Sequence, residues 1–290
     1  MGKMPVPRYG FSAAIKVLFL AIAVLAAGTL LAAEPPLVTA KSAVLFDANT
    51  GRVIFKKNEE ERRPVASTQK LLTAYIIANA GDLSNVVTIK EVDTNCEPTK
   101  LGVRPGQQYT REQLLRALLV HSCNDAARAL ARDNAGSVED FANRMNSTMR
   151  ALGGYSSNFV NPNGLPADDQ YSSARDMARV ARAVYRDPVL REIIKTRALT
   201  FRFSTGKTTT FKNTNRVLRY YSFCNGMKTG YTEKAAHCLI CSGSYNGKDV
   251  IAVVLGDSKS RIWNESANLV AYGLGIPPDK MEKFRIPGAE

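Results

Sequence analysis

The sequence predicts an α+β fold, a mixed α/β arrangement in which an antiparallel sheet packs with helices beside an all-helical lobe. Two observations lead to this class. Strand-like segments stand near both ends of the chain, whereas helical periodicity fills the middle, roughly from residue 80 to residue 195. One sheet built from the two ends, with helices inserted between them, satisfies this order. The 290 residues, 45% of them hydrophobic and 22% charged, are enough for one substantial core.

The first elements are a hairpin and a buried helix. Ser42 to Asp47 and Arg52 to Asn58 have strand composition, and Asn49-Thr50-Gly51 between them is typical of a turn. Pro64 then precedes Ser67 to Asn79, a helix-forming stretch that is apolar on several sides. A helix that is apolar nearly all round is a buried one, so we expect it to pack on the sheet.

The middle of the chain predicts a group of helices. Thr110-Arg111-Glu112-Gln113 has the capping-box form, and leucines follow it at helical spacing. Further helices are predicted at Asp125 to Asp133, Val138 to Leu152 and Ala174 to Tyr185. The loop Asn161 to Pro166, which contains two prolines and a glycine, separates the last two helices.

The chain then returns to strands. Leu199 to Phe203 and Thr208 to Lys212 flank Thr205-Gly206 and predict a second hairpin. Asn246-Gly247 is a strong signal for a two-residue turn between two later strands. The remaining predicted elements are three strands, Cys224 to Thr229, His237 to Tyr245 and Asp249 to Leu255, and a closing helix, Ser266 to Tyr272.

The first 33 residues are set apart from this pattern. Lys3, Arg8 and Lys16 precede an uncharged apolar run from Val17 to Ala33 that ends in small residues. This order is typical of a secretory signal peptide, which we therefore predict for residues 1–33. The alternative is an uncleaved anchor, because the run approaches the length that spans a bilayer. Both alternatives place the rest of the protein outside the cytoplasm, in the periplasm or the cell wall.

The charge of the chain favours anionic partners. The formal net charge is +13, and it falls to about +10 without the three basic residues of the leader. Nucleic acid is a poor candidate outside the cytoplasm, whereas anionic envelope polymers or lipid headgroups would allow peripheral contact with the envelope. The basic residues are scattered rather than clustered, and plain solubility explains them equally well.

The cysteines do not predict a metal site. Cys238 and Cys241 form a C-x-x-C, but they fall in a strand-like run, where residues three apart point to opposite faces. No second such pair follows, and the only histidines are His121 and His237. The odd count of five cysteines leaves at least one thiol free in an exported protein.

Three short patterns stand in one order along the chain: Ser67-Thr68-Gln69-Lys70, Ser122-Cys123-Asn124 and Lys228-Thr229-Gly230. Each is weak alone, since Ser204 to Lys207 also matches S-x-x-K and reads as a hairpin turn. A specified tripeptide such as K-T-G is expected by chance roughly once in ten chains of this length. The weight of the patterns therefore lies in their order and their predicted setting.

The setting of Ser67 and Lys70 suits a nucleophile and its base. Ser67 falls at the start of the buried helix, where unpaired N–H groups and the helix dipole favour negative charge. Lys70 follows three residues later, on the same face. Burial and a second cation, for which Lys228 is the candidate, would keep Lys70 neutral enough to take the Ser67 proton. The alternative role for Ser67 is a helix N-cap.

The second motif lies between two predicted helices, where side chains can face a cleft. Ser122 could relay a proton to a leaving amine, and Asn124 could hold a substrate carbonyl together with the Lys70 side chain. The alternative for this run is a helix cap before Asp125.

The third motif ends a predicted strand, and a sheet edge can receive an extended peptide as an added strand. Lys228 and Thr229 could bind a terminal carboxylate, and Gly230 would let the substrate approach the backbone closely. The N–H groups of Ser67 and Tyr231 are the natural oxyanion donors.

These motifs and their neighbours resemble the low-molecular-mass D-alanyl-D-alanine carboxypeptidases, the penicillin-binding proteins of peptidase family S11. S-x-x-K, a second serine motif and K-T-G together are the known signature of β-lactamases and penicillin-binding proteins. The similarity runs from about Lys41 to Tyr272. The stretches that carry it are Ala66 to Thr73, Ser122 to Ala127, Asn161 to Leu165, Tyr171 to Asp176, Asn213 to Arg216 and Gly226 to Thr232.

The resemblance implies a penicilloyl-serine-transferase, β-lactamase-like fold and a serine D,D-peptidase domain over residues 34–275. The implied enzyme removes the terminal D-alanine from peptidoglycan pentapeptide stems, needs no cofactor and is acylated by β-lactams. The implied catalytic residues are Ser67, Lys70 and Ser122. The implied substrate-binding residues are Asn124, Lys228, Thr229, Gly230, Tyr231 and Arg261, the last because many members place an arginine shortly before the final helix.

Two features depart from the family pattern. Many members have glycine between the serine and asparagine of the second motif, where this chain has Cys123, a thiol that can pack as a small apolar group. We expect the tail, residues 276–290, to form neither the further β-rich domain nor the membrane helix that many members have. Its prolines, Pro277, Pro278 and Pro287, are also expected to oppose a helix.

Three other functions stay open at this point. The first is a D,D-endopeptidase that cuts peptidoglycan crosslinks with the same machinery. The second is a class A β-lactamase, although such enzymes use a glutamate that the loop Asn161 to Asp169 lacks. The third is a wall-binding protein that kept the fold without the catalysis.

Overall fold

The computed structural model describes residues 1, 2, 4 and 34–281. The chain divides into two units, Met1–Glu34 and Pro35–Glu290, and the fold described below belongs to the second. The predicted signal peptide, apart from its first positions, and the last nine residues of the tail lie outside the described residues. Within the described part of the chain, no helix is both long and apolar enough to cross a membrane.

Strands lie at both ends of this unit and helices between them, in the predicted order. A 3₁₀ turn over Ala66–Gln69 leads into the first α-helix. The elements are β1 (Ser42–Asp47), β2 (Val53–Lys57), α1 (Lys70–Ala78), β3 (Val86–Thr88), α2 (Glu91–Thr94), β4 (Gln108–Thr110), α3 (Arg111–Val120), α4 (Asn124–Ala135), α5 (Val138–Ala151), α6 (Ala174–Arg186), α7 (Pro188–Ile194), β5 (Ala198–Arg202), β6 (Thr208–Lys212), α8 (Arg216–Tyr220), β7 (Cys224–Thr232), β8 (Ala236–Tyr245), β9 (Lys248–Asp257), α9 (Ile262–Leu274) and α10 (Pro278–Met281).

A five-stranded antiparallel sheet joins the two ends of the unit. Its strand order is β2-β1-β9-β8-β7, so the first strand pairs with the last, with Ser42 opposite Leu255. Asn246 and Gly247 both have positive φ between β8 and β9, as a two-residue hairpin turn requires. The prediction of one antiparallel sheet built from distant segments is therefore confirmed, and β7 forms one of its edges.

Both faces of the sheet are covered, and this gives the molecule two cores. Along β1, Val44 and Phe46 belong to the first core, whereas Ala43 and Leu45 belong to the second, because strand side chains alternate between faces. Helices α1, α3, α4, α5, α6 and α7 contribute to the first core, and α8 and α9 to the second. Cys238 and Cys241 divide between the two cores, as predicted for residues three apart on a strand.

Two local predictions at the motifs are wrong. The α-helix begins at Lys70 rather than at Ser67, which lies inside the 3₁₀ turn. The N-cap of that turn is Val65, so the alternative role of Ser67 as a helix cap is excluded. Strand β7 continues to Thr232, and the Lys228-Thr229-Gly230 motif therefore lies within the strand rather than at its end.

The helical lobe contains the predicted helices. Thr110 caps α3 and forms the predicted capping box with Gln113. The lobe also contains a two-stranded sheet, β3 and β4, which are too short to give a periodic signal. In the tail, Pro278 begins the single turn of α10, so the expectation that it opposes a helix is wrong. Proline is tolerated at the first helical position because its missing N–H has no helical partner there.

Candidate active site

The turn that carries Ser67 is held between two glycines. A Cβ on Gly164 would overlap the carbonyl group of Ala66, and a Cβ on Gly230 would lie 3.0 Å from the backbone nitrogen of Ser67. Gly164 also has a φ of +81°, a conformation that strains other residues. Because both glycines let backbone meet backbone, the Ser67 turn is pressed between the loop that follows Asn161 and strand β7.

Lys70 is fully buried and bonds to three oxygens. Its Nζ lies 2.7 Å from the Oγ of Ser67, 2.7 Å from the Oδ1 of Asn124 and 2.6 Å from the carbonyl oxygen of Asn163. An ammonium group has three protons, so these acceptors satisfy the charged form. The neutral amine has a lone pair that can accept the Ser67 proton, which otherwise points to the Asn163 carbonyl at 3.2 Å. The site therefore accommodates Lys70 in both protonation states.

Burial is the main cause of an altered pKa at Lys70. It lowers the pKa of this lysine well below the usual 10.5, and the nearby charge of Lys228 lowers it further. A neutral amine is therefore available beside Ser67 far below the pH at which an exposed lysine would lose its proton.

The second motif is positioned by an unusual backbone and by a fixed amide. Ser122 is 9% exposed and has a φ of +68°, in the left-handed region that non-glycine residues rarely adopt. The Nδ2 of Asn124 donates to the carbonyl of Glu97 at 3.2 Å, which leaves Oδ1 to face Lys70. The N-cap of α4 is Cys123, without a side-chain bond, so the helix-cap alternative for Asn124 is wrong.

Cys123 packs in the core rather than in the reactive part of the site. Its side chain is fully buried in the first core. Burial raises the pKa of its thiol far above the usual range, and the charge of Asp125 raises it further. The thiol therefore stays protonated and unreactive, and it fills space as a small apolar group.

The third motif brings a second buried lysine to the site. Lys228 is 1% exposed, and within residues 34–281 its Nζ has one hydrogen bond, to the carbonyl of Thr229 at 3.1 Å. Burial lowers the pKa of Lys228 to about 7. The Thr229 hydroxyl lies 2.7 Å from the hydroxyl of Thr214. Near neutral pH, Lys228 is therefore charged in some molecules and neutral in the others.

Two further candidates lie at the periphery. Tyr231 is 57% exposed, and its ring stacks on that of His237 with centroids 4.4 Å apart. Arg261 points to Asp257 at 3.5 Å and to Glu265 at 4.0 Å. Within residues 34–281 no hydrogen bond or ion pair joins Arg261 to the three motifs, and its role in carboxylate binding stays a prediction.

The structure adds two groups that the motifs did not predict. The carbonyl of Asn163 accepts from both Lys70 and Ser67, and Thr214 contacts Thr229. The only signal for them in the sequence was the similarity of the stretches Asn161 to Leu165 and Asn213 to Arg216 to the family, which assigned no role to either residue.

Comparison with known sequences identifies the family of this chain. The sequence model of the D-alanyl-D-alanine carboxypeptidases, peptidase family S11, matches residues 29–259. The chain belongs to this family. It is 35% identical over 224 residues to the D-alanyl-D-alanine carboxypeptidase DacF of Bacillus subtilis and 36% identical over 234 residues to DacA of Escherichia coli. Each match covers 76% of this chain, which spans 58% and 57%, respectively, of those relatives.

Solved structures of the family have the same fold. The D-alanyl-D-alanine carboxypeptidase of Mycobacterium tuberculosis matches 85% of this chain and 95% of its own, with a TM-score of 0.80 and 29% identity. The Streptomyces K15 DD-transpeptidase matches 83% of this chain and 99% of its own, with a TM-score of 0.78 and 28% identity. The predicted fold, that of the penicillin-binding D,D-peptidases, is confirmed.

Proposed function

We propose that this S11 family member is a serine-type D-alanyl-D-alanine carboxypeptidase (EC 3.4.16.4) that removes the terminal D-alanine from peptidoglycan pentapeptide stems. One observation carries the proposal: the fully buried Nζ of Lys70 lies 2.7 Å from the Oγ of Ser67. A serine hydroxyl becomes a nucleophile when a base lies within hydrogen-bond reach. Residues 34–275 would act as one catalytic domain behind a signal peptide, residues 1–33, in the periplasm or cell wall.

The acylation step uses the first two motifs. Neutral Lys70 takes the hydroxyl proton of Ser67 as the Oγ attacks the carbonyl carbon of the penultimate D-alanine. The backbone N–H groups of Ser67 and Tyr231 would stabilise the resulting oxyanion. When the C–N bond breaks, the leaving amine receives a proton from Lys70 by way of the Ser122 hydroxyl. The products are free D-alanine and an ester on Ser67.

Substrate binding uses the edge strand. An extended peptide can add to β7, because β7 has no strand on its outer side in the five-stranded sheet of the described residues. Charged Lys228 and the Thr229 hydroxyl would bind the terminal carboxylate, and Gly230 leaves room for the peptide backbone. Asn124 would hold a substrate carbonyl with its amide, and Arg261 is a further candidate for the carboxylate.

Hydrolysis of the ester restores the enzyme. Lys70 is neutral again once its proton has left with D-alanine, so it can take a proton from a water molecule that attacks the acyl carbonyl. The ester bond breaks and Ser67 regains its hydroxyl proton. β-Lactams would acylate Ser67 by the same route. Their leaving amine stays tethered to the acyl group, whereas free D-alanine departs, so it would hinder the attack of water and the adduct would persist. The loop Asn161 to Asp169 also has no glutamate of the kind that class A β-lactamases use for this step.

Labelling with a fluorescent penicillin tests the nucleophile. Wild-type protein should become labelled, with the adduct mapped by mass spectrometry to the peptide that contains Ser67. Ser67→Ala should remain folded by circular dichroism and lose the label. Ser204→Ala is the matched control, because Ser204 begins the second S-x-x-K match, which lies in the turn between β5 and β6. A label that persists on Ser67→Ala would contradict the proposed nucleophile.

The site of cleavage needs a separate assay. Incubation with a free pentapeptide stem should release D-alanine, and a crosslinked muropeptide dimer should be cut slowly or not at all. Cleavage of the dimer alone would identify a D,D-endopeptidase instead. Rapid turnover of penicillin would identify a β-lactamase, and a folded protein that neither labels nor cleaves would favour the wall-binding alternative.

A further inference from the structure

The loop over residues 213–215 connects two walls of the site. The backbone N–H of Thr214 donates to the carbonyl of Val120 at 3.3 Å, at the end of α3 and two residues before Ser122. On the other side, the Thr214 hydroxyl lies 2.7 Å from that of Thr229, in the middle of strand β7. Thr214 therefore contacts both the helix that leads into the second motif and the strand that carries the third.

The two asparagines of this loop hold it in place. Asn213 donates through Nδ2 to the carbonyl of Thr196 at 2.9 Å, and Asn215 donates through Nδ2 to the carbonyl of Gly226 at 2.9 Å. The Oδ1 of Asn213 accepts from the backbone N–H of Asn215 at 2.8 Å. Both asparagine side chains are nearly or fully buried. The Thr214 hydroxyl is thus presented to Thr229 from a rigid loop.

The direction of the hydroxyl–hydroxyl bond decides what Thr229 can do. Each hydroxyl has one proton and can also accept. If Thr229 donates to Thr214, its hydroxyl has no second proton to donate. A substrate carboxylate would then face the lone pairs of the Thr229 oxygen. If Thr214 donates to Thr229, the Thr229 proton stays free for the carboxylate, and the first bond strengthens the second by polarising it.

We propose that Thr214 is a positioning residue: it donates its hydroxyl proton to Thr229 and so directs the Thr229 proton to the terminal carboxylate of the substrate. This inference rests on the proposed function, because it assumes that Thr229 binds that carboxylate. It assigns Thr214 a part in recognising a free carboxyl terminus and no direct contact with substrate. The consequence is selectivity for peptides with a C-terminal acid over the same peptides with a C-terminal amide.

The experiment compares an N-acylated peptide ending in D-Ala-D-Ala with its C-terminal D-alaninamide, which has the same scissile bond and no carboxylate. Thr214→Val keeps the shape of the side chain and removes the donor. It should lower kcat/KM for the acid peptide by about 10-fold, mainly through KM, and leave the amide peptide within about 2-fold of wild type. Thr214→Ser retains the hydroxyl and should restore the preference for the acid.

The other outcomes separate this inference from the function on which it rests. Equal losses on the acid and the amide would show a merely structural role, and no loss on either would show that the hydroxyl bond is irrelevant; each overturns the inference. Thr229→Val should itself reduce the preference for the acid, which shows that the assay detects carboxylate recognition. Wild-type protein that hydrolyses neither peptide would overturn the proposed function and the inference together.

Discussion

The two buried lysines of the site lie in contrasting surroundings. Lys70, on helix α1, reaches three oxygens that belong to Ser67, Asn124 and Asn163. Lys228, on strand β7, is equally buried, and among the described residues its Nζ contacts one acceptor, the carbonyl of Thr229. The pKa of both is lowered mainly by burial. Equal burial of the same residue type has thus produced one lysine with a full set of acceptors and one with spare hydrogen-bonding capacity.

This difference suits the two roles proposed for these lysines, base and anion binder. A base must alternate between a charged and a neutral form without moving, and the acceptors around Lys70 allow this because one of them, Ser67, can also donate. An anion-binding lysine needs protons that are not already committed, and Lys228 has them. Variants that change one lysine at a time can therefore test whether the two roles are separate.

Lys70→Met should give the largest effect. Methionine has a side chain of similar length without a basic nitrogen, so it cannot take the Ser67 proton. The rate of Ser67 acylation by a fluorescent penicillin should therefore fall by about 10²–10⁴-fold. Stopped-flow fluorescence measures this rate. Lys195→Met is the control, because Lys195 pairs with Glu192 on the surface, and it should acylate at the wild-type rate. An acylation rate for Lys70→Met near that of the wild type would show that another group is the base.

The pH dependence should distinguish the two lysines. For a D-Ala-D-Ala peptide, kcat/KM should rise as Lys70 loses its proton and fall as Lys228 loses its proton, around pH 7. Lys228→Arg keeps the charge at high pH, so the falling limb should disappear up to about pH 10 even where the maximum rate is lower. The C-terminal amide of the peptide should show no falling limb even with the wild-type enzyme. A wild-type profile without a falling limb would show that Lys228 binds no carboxylate.

The smallest expected effect is on the free energy of unfolding. The direction of its change with pH follows from the lowered pKa of Lys228. Between pH 7 and 10.5 the unfolded chain keeps the Lys228 proton that the folded protein has lost, so stability rises with pH across this window. Lys228→Met should remove about 1.4 kcal/mol per pH unit of that slope. At pH 7 it should raise the free energy of unfolding by about 1–3 kcal/mol, because a buried, partly charged amine with no anionic partner among the described residues is replaced by an apolar group.

Lys70→Met should stabilise the protein less than Lys228→Met, because it leaves the Oδ1 of Asn124 without its donor, at about 1–3 kcal/mol, and leaves the carbonyl of Asn163 with Ser67 as its donor. Urea unfolding of both variants at pH 7 and pH 9 gives the comparison. A larger gain for Lys70→Met would contradict the view that its acceptors depend on it.

Much of the fold followed from patterns within single segments. The hairpin turn at Asn246-Gly247, the capping box at Thr110 and the buried helix after Pro64 each depend on residues close in sequence, and all are present in the structure. The short elements were missed, among them strands β3 and β4 and helix α7, because three to seven residues are too few for a periodic signal. The predicted element boundaries at Ser67 and Gly230 were wrong, and both residues lie where the Ser67 turn packs against strand β7.

The sequence by itself determined the order of the three motifs, the residue types in them and the family to which they point. Only the tertiary structure decided how those residues act together. The carbonyl that accepts from Lys70 lies 93 residues away along the chain, and the amide oxygen of Asn124 lies 54 residues away. Such contacts depend on the path of the whole chain. Every residue has a backbone carbonyl, so the residue type does not predict which carbonyl lies in the site. The lysines are typical of a D,D-peptidase by their positions, and they differ from each other by what the fold packs around them.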